Sequence, residues 1–107
     1  MMLLLQPPAA YDHPYRGQVI EQRLSQGEIF RLCRGPTEGC AWVANNSCHI
    51  ALPQHEKDAR LIALMRRHEI AHCNGWPAHH PGGHWVAYGR PNGVTVYKHG
   101  GTSLTLF

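Results

Sequence analysis

The chain has 107 residues, of which 43% are hydrophobic and 16% are charged. This composition suffices for one modest hydrophobic core and excludes a disordered, charge-driven tail. The net charge of +3 comes from scattered basic residues, with only Arg66 and Arg67 adjacent, which argues against a nucleic-acid-binding surface. Nine histidines stand out against this background and indicate metal or acid–base chemistry.

Proline disfavours regular structure at the start of the chain. Pro7, Pro8 and Pro14 fall within residues 1–16, which we expect to form an irregular lead. The remaining residues, 17–107, have the length of one domain.

Strand patterns follow this lead. Residues 18–21 and 28–33 favour strands, because apolar and polar side chains alternate there. Residues 40–44 and 47–52 read as two further strands around an Asn-Asn pair, whose side chains tolerate the positive φ angles of a tight turn. The sequence therefore predicts a β-hairpin in this region.

The strongest helical pattern covers residues 54–74, which contain neither Gly nor Pro. Apolar residues recur at helical spacing on two sides of this helix, so we expect it to be covered on both sides. Gly75 supplies a left-handed stop, and residues 84–88 and 94–97 predict strands around a turn at 90–93. The expected architecture is α+β, a small antiparallel sheet packed on one central helix.

Residues 68–72, within this helix, read His-Glu-Ile-Ala-His and match the HExxH pattern. His68 and His72 are four residues apart, so they lie one above the other and can share one metal ion. Glu69 lies beside them and can take a proton from a metal-bound water, whose pKa zinc lowers to about 7. The alternative is an ordinary histidine pair on a packed or solvated helix face.

The segment from residue 68 to residue 80 resembles the metzincin signature HExxHxxGxxH. Gly75 stands where that family breaks the helix to return a third histidine to zinc. The third histidine of the pattern would be at Ala78, whereas His79 and His80 follow one and two residues later. No methionine follows the motif, so the Met-turn of that family is missing. The chain is thus similar to a minimal zincin metallopeptidase of the kind found among small phage and bacterial proteins, and the resemblance implies Zn²⁺ as cofactor.

The sequence leaves several candidates for the third metal ligand. His80 is favoured because Pro81 biases it toward an extended backbone and stiffens the following turn. His79 is nearer the expected spacing. His84, or an arrangement with water or an acidic residue, is a further alternative.

The resemblance also implies a way of holding substrate. Zincins generally pair an extended substrate with an upstream edge strand, and residues 47–52 are the candidate, although they fit a core strand equally well. Tyr88 and Tyr97 are candidate oxyanion donors, with packing in a sheet as the favoured alternative. Trp76 and Trp85 flank the expected site and would either line a substrate pocket or shield the metal.

The sequence therefore predicts a zinc-dependent metallopeptidase that acts on a peptide or protein. One alternative is a non-catalytic zinc-binding module, in which His68, His72, His79 and His80 close a four-ligand site with no open position. Another is a small nucleic-acid-binding or regulatory protein of mobile elements, against which the scattered basic residues argue.

Nothing in the sequence marks the protein for secretion or for a membrane. The apolar run at residues 1–5 is shorter than a signal-peptide core, and no apolar run approaches the roughly 18–20 residues that cross a bilayer. We therefore expect a location in the cytoplasm of a bacterial or phage-infected cell. In that compartment the four cysteines, at positions 33, 40, 48 and 73, would be reduced thiols.

Overall fold

A computed structural model describes residues 2–88 and 102–107 of the chain. The α+β class expected from the sequence is confirmed. The turn expected at 90–93 and the strand expected at 94–97 lie outside the described residues. No helix within the described part of the chain has the length and apolar character needed to cross a membrane. The elements in chain order are β1 (Met2–Gln6), β2 (Gln18–Leu24), α1 (Gln26–Cys33), β3 (Cys40–Ala44), β4 (Ser47–Pro53), α2 (Ala59–Cys73), β5 (His84–Tyr88) and β6 (Thr102–Ser103).

The strands form two three-stranded sheets rather than the single antiparallel sheet expected. In one sheet β1 lies in the middle, antiparallel to β5 and parallel to β6. In the other, β4 lies in the middle, antiparallel to β3 and parallel to β2. Parallel neighbours require a crossover connection, and α1 with β3 supplies it between β2 and β4. Both sheets are therefore mixed.

Strand β1 corrects the expectation of an irregular lead over residues 1–16. It is the middle strand of its sheet, and Leu4 and Gln6 on it are fully buried. The prolines come after this strand, so they end it rather than prevent it. Its partners are about eighty or more residues away in the sequence, which is why a local pattern could not reveal it.

Helix α1 corrects the expectation of a strand over residues 28–33. Ser25 caps this helix, since its side chain accepts a hydrogen bond of 3.2 Å from the Glu28 backbone N–H. The Glu28 carboxylate in turn accepts a bond of 3.0 Å from the Ser25 backbone N–H. This reciprocal capping box stabilises a helical start and outweighs the alternating pattern that favoured a strand. Ile29 is the residue that the helix buries.

The predicted hairpin is confirmed as β3 and β4. Asn45 and Asn46 have φ angles of 52° and 61°, as the two-residue turn requires. However, β4 is the middle strand of its sheet, and Cys48, Ile50 and Leu52 on it are fully buried. Residues 47–52 are therefore a core strand, the second of the two alternatives, and not a substrate-binding edge. Within the described residues, the edge strand of this hairpin is β3.

Helix α2 packs against β3 and β4 of one sheet and against β1 of the other, so it is covered from two sides as expected. It begins later than predicted because the Asp58 carboxylate caps it, accepting from the backbone N–H groups of Arg60 and Leu61. It buries an apolar side that includes Leu61 and Met65. Gly75, with a φ of 106°, follows its end as a left-handed residue.

All four cysteines are paired, which corrects the expectation of reduced thiols. Cys33 at the end of α1 is bonded to Cys40 at the start of β3, with their Cα atoms 5.8 Å apart. Cys48 on β4 is bonded to Cys73 at the end of α2, with their Cα atoms 5.7 Å apart. Both spacings lie in the usual disulfide range. The fold thus brings together pairs whose sequence spacing gave no such indication.

Candidate metal centre

Three histidine nitrogens converge at the end of α2. The Nε2 atom of His72 lies 3.2 Å from that of His68 and 3.1 Å from that of His80, and the third side of this triangle is 3.2 Å. Three ligand nitrogens about 2.0–2.1 Å from one tetrahedral zinc ion would be separated by about 3.3 Å. The triangle therefore has the dimensions of three ligands around one ion, and the three rings form a group that could hold a metal.

Backbone carbonyls on the far side of two rings decide where their hydrogens lie. His68 Nδ1 is 2.7 Å from the Leu5 carbonyl oxygen, and His72 Nδ1 is 2.8 Å from the Trp76 carbonyl oxygen. Because a carbonyl only accepts, Nδ1 carries the hydrogen in both neutral rings and Nε2 is bare. Two bare lone pairs facing each other repel, and a shared cation removes that repulsion. The donor set therefore fits a metal ion.

The electrostatic surroundings keep these rings in the neutral form that binds metals. Burial lowers the pKa of His68 to about 4, with the neighbouring histidines as a smaller cause. Burial also lowers the pKa of His72 and of His80 below the ordinary value of 6.5. Neutral imidazole is the ligand form, so protons compete little with a metal at neutral pH.

The loop after α2 returns His80 to the helix. Its backbone N–H donates to the Pro77 carbonyl oxygen at 2.9 Å, and its φ of 60° is left-handed. The extended backbone expected from the following Pro81 is therefore not the conformation found. The Trp76 ring is 2% exposed and packs against all three histidine rings at centroid distances of 4.8 to 5.0 Å. Its indole Nε1–H donates to the Pro81 carbonyl oxygen at 2.9 Å, which ties the loop down.

His79 and His84 lie outside this group. Both side chains are exposed, and neither belongs to the cluster formed by the described residues. The four-histidine arrangement with both His79 and His80 is therefore not present in the part of the chain that the structure describes.

Glu69, the residue that follows His68 on α2, is fully buried. Both carboxylate oxygens are inaccessible, and within residues 2–88 and 102–107 neither has a hydrogen-bond partner. Burial raises the pKa of this carboxyl well above its ordinary value. An added Cβ at Gly39 would lie 3.3 Å from Glu69 Oε2 and 2.7 Å from the Ala51 carbonyl oxygen, so only glycine lets the backbone pass here. A buried carboxyl without partners is unfavourable unless something polar binds it, such as water or a substrate.

The aromatic candidates among the described residues lie in different surroundings. The Tyr88 hydroxyl donates to the Asp58 carboxylate at the start of α2, which supports the packing role. Tyr97 lies outside the described residues. Trp76 covers the histidines, as described above, whereas Trp85 on the edge strand β5 is 56% exposed.

Sequence reasoning missed the backbone groups that hold the centre. The Leu5 carbonyl reaches the His68 ring because Leu5 lies on β1, so only recognition of that strand could have indicated this contact. A backbone group of Phe107 also raises the pKa of His68, as a hydrogen-bonding carbonyl does. No local signal marks Phe107 for this position.

Comparisons of the chain with protein-family models, with curated proteins and with solved structures find no match. The resemblance to zincins consequently depends on the motif alone. The function has to be argued from the chemistry of the site rather than from the fold.

Proposed function

We propose that this protein is a zinc-dependent metallopeptidase that hydrolyses peptide bonds in a peptide or protein substrate. His68, His72 and His80 would hold the ion and leave its fourth position open. Glu69 would act as general base and then as general acid. One observation carries the proposal, namely the convergence of three histidine nitrogens within the HExxH segment and the loop that follows it.

The donor set favours zinc over magnesium and calcium. Three neutral imidazoles suit zinc, whereas magnesium and calcium require oxygen ligands. Three protein ligands with one open position are also typical of catalytic rather than structural zinc sites. When bound, zinc would supply a water of lowered pKa and polarise the substrate carbonyl.

The side chains of the chain itself supply positioning and proton transfer. The carbonyls of Leu5 and Trp76 orient the rings of His68 and His72, and the Trp76 indole covers them. Glu69, which follows His68 on α2, would take a proton from the attacking water. Glu69 then returns that proton to the nitrogen of the leaving amine as the carbon–nitrogen bond breaks.

The second candidate is the non-catalytic zinc-binding module. Its support is the full burial of Glu69, since a carboxyl closed off from solvent would serve packing as readily as proton transfer. The same three histidines would then serve stability or regulation.

The compartment also belongs to the proposal. Paired cysteines persist in oxidising environments and are rare in the cytosol. The two disulfides therefore favour an oxidising compartment over the cytoplasm expected from the sequence.

Metal analysis and a peptidase assay test the proposal together. We expect one zinc per chain in the wild type, in His79→Ala and in Glu69→Gln, and a loss of zinc in His80→Ala. His79→Ala is the matched control, since it removes the neighbouring exposed histidine. With a fluorogenic peptide library, hydrolysis should occur in the wild type and in His79→Ala and disappear in Glu69→Gln.

Two outcomes would contradict the peptidase assignment. A wild type that takes up no zinc would remove its basis. A wild type that binds zinc without hydrolysing any peptide of the library would favour the non-catalytic module.

A further inference from the structure

A cleft of about 510 Å³ opens directly beside the metal centre. His72 and Trp76 belong to the metal centre and also line this cleft, so a molecule bound there lies against one of the three ligands. The other walls are mostly apolar and come from the end of α1, from β3 and from residues near the centre. These walls include Leu32, Arg34, Ala41, Trp42, Ala78 and Phe107.

Strand β3 forms part of the wall of this cleft, and its backbone can pair with a bound peptide. It is bonded to β4 on one side, and no strand among residues 2–88 and 102–107 pairs with its other side. An edge strand presents unpaired N–H and C=O groups, which can bind an extended peptide. Because Ala41 and Trp42 on β3 line the cleft, a peptide paired with β3 would place a side chain in it.

Two exposed side chains show that the cleft offers apolar surface to a ligand. Leu32 is 43% exposed and Phe107 is 39% exposed, and both line the cleft. Exposed apolar surface inside a concave site is typical of ligand binding. This surface suits a large apolar side chain.

Among the described residues that line the cleft, Arg34 is the one with a permanently charged side chain. No carboxylate of a described residue forms an ion pair with it, whereas Arg66 and Arg67 both have such partners. Arg34 also ends α1 with a φ of 62°, a left-handed conformation that usually selects glycine or asparagine. An arginine held at a position that disfavours it indicates a use for its side chain.

From these observations we infer a substrate class, and this inference rests on the proposed peptidase function. The cleft binds an extended peptide through a large apolar side chain, and Arg34 selects a carboxylate on the same peptide. The guanidinium group donates two parallel hydrogen bonds to a carboxylate, which distinguishes it from a neutral amide. The carboxylate is either the free end of the peptide or an acidic side chain beside the apolar residue.

Direct binding to the zinc-loaded Glu69→Gln variant tests this inference without hydrolysis. The probes are acetylated pentapeptides of glycine that contain one Phe or one Ser, each with a free or an amidated carboxyl end. A fifth peptide is amidated and carries Glu next to Phe. Isothermal titration should show the Phe peptide that has a carboxylate binding roughly tenfold tighter than its Ser and its amidated counterparts. The fifth peptide tells whether the preferred carboxylate is terminal or on a side chain.

Variants of two arginines assign the preference. In the Glu69→Gln background, Arg34→Gln should reduce the carboxylate preference to about twofold or less. Arg31→Gln is the matched control on the same helix, since Arg31 is exposed and does not line the cleft, and it should leave the preference unchanged. Arg34→Gly should raise the melting temperature by relieving the left-handed arginine while also abolishing the preference.

The results separate this inference from the proposed function. Equal binding of all five peptides, or an unchanged preference in Arg34→Gln, would overturn the inference even if the wild type hydrolyses peptides. The expected preference in a protein whose wild type hydrolyses none of these peptides would support the cleft as a binding site and contradict the peptidase function.

Discussion

The two halves of the metal centre are built in different ways. His68 and His72 come from successive turns of α2, and His68 is fully buried with its Nδ1 held by the Leu5 carbonyl. His80 comes from a loop, is only partly buried and adopts a left-handed backbone. Packing of the whole fold thus fixes the helical half, whereas a few contacts around Trp76 fix the loop half.

Removing one ligand from each half gives the largest contrast. His68→Ala should lose zinc and also destabilise the metal-free protein by about 2–5 kcal/mol, because it empties a core position and leaves the Leu5 carbonyl unpaired. His80→Ala should lose zinc but cost the metal-free protein about 1 kcal/mol or less, as for a loop residue near the surface. Urea unfolding in the presence of a chelator measures both. Equal losses of stability would contradict the difference between the two halves.

The two disulfides should contribute unequally to the free energy of unfolding. Cys48–Cys73 joins the middle strand β4 to the end of α2 and closes a longer loop than Cys33–Cys40 does. Replacing the first pair by alanine should lower the free energy of unfolding by about 3–4 kcal/mol, and replacing the second by about 2 kcal/mol. Zinc retention after unfolding and refolding should also fall only in the first variant, because Cys73 follows His72 on the helix. A larger loss of stability in the variant without Cys33–Cys40 would contradict this order. It would show that Cys48–Cys73 is not needed to hold the end of α2.

The loop half can be loosened without touching a ligand. Trp76→Phe keeps an aromatic ring and the backbone carbonyl but removes the indole N–H that bonds to Pro81. We expect zinc affinity to fall about five- to tenfold, since one hydrogen bond that holds the loop is lost. Competition with a chromophoric chelator measures this change. An unchanged affinity would mean that the histidines position the loop by themselves.

The helical half and the loop half also differ in how far the sequence predicts them. The ligand pair on α2 follows from a local spacing of four residues, and the hairpin turn follows from two adjacent asparagines. The position of His80 could not be derived in this way, because it depends on a left-handed backbone and on the packing of Trp76. The Leu5 carbonyl and the Cys48–Cys73 bond depend on residues distant in the sequence.

One error was avoidable from local information. Ser25 and Glu28 have the spacing of a capping box, a local signal for a helical start that competes with the alternating pattern over 28–33. Two reciprocal hydrogen bonds fix the first turn of a helix without help from other elements. An alternating pattern, by contrast, stabilises a strand only when a neighbouring strand is present.

The smallest expected effect lies on the outer side of α2, away from the ligands. The hydrogen-bonded guanidinium of Arg67 holds the pKa of Asp12 below its usual 3.8. A lowered folded-state pKa means that the pair stabilises the protein above the pKa of the unfolded chain, and that this contribution is lost as pH falls through the folded value. Because both side chains are partly exposed, Asp12→Asn should cost less than about 1 kcal/mol at pH 7 and less than that at pH 3. Urea unfolding of the wild type and the variant at both pH values checks this, and a difference that grows in acid would contradict the assigned sign.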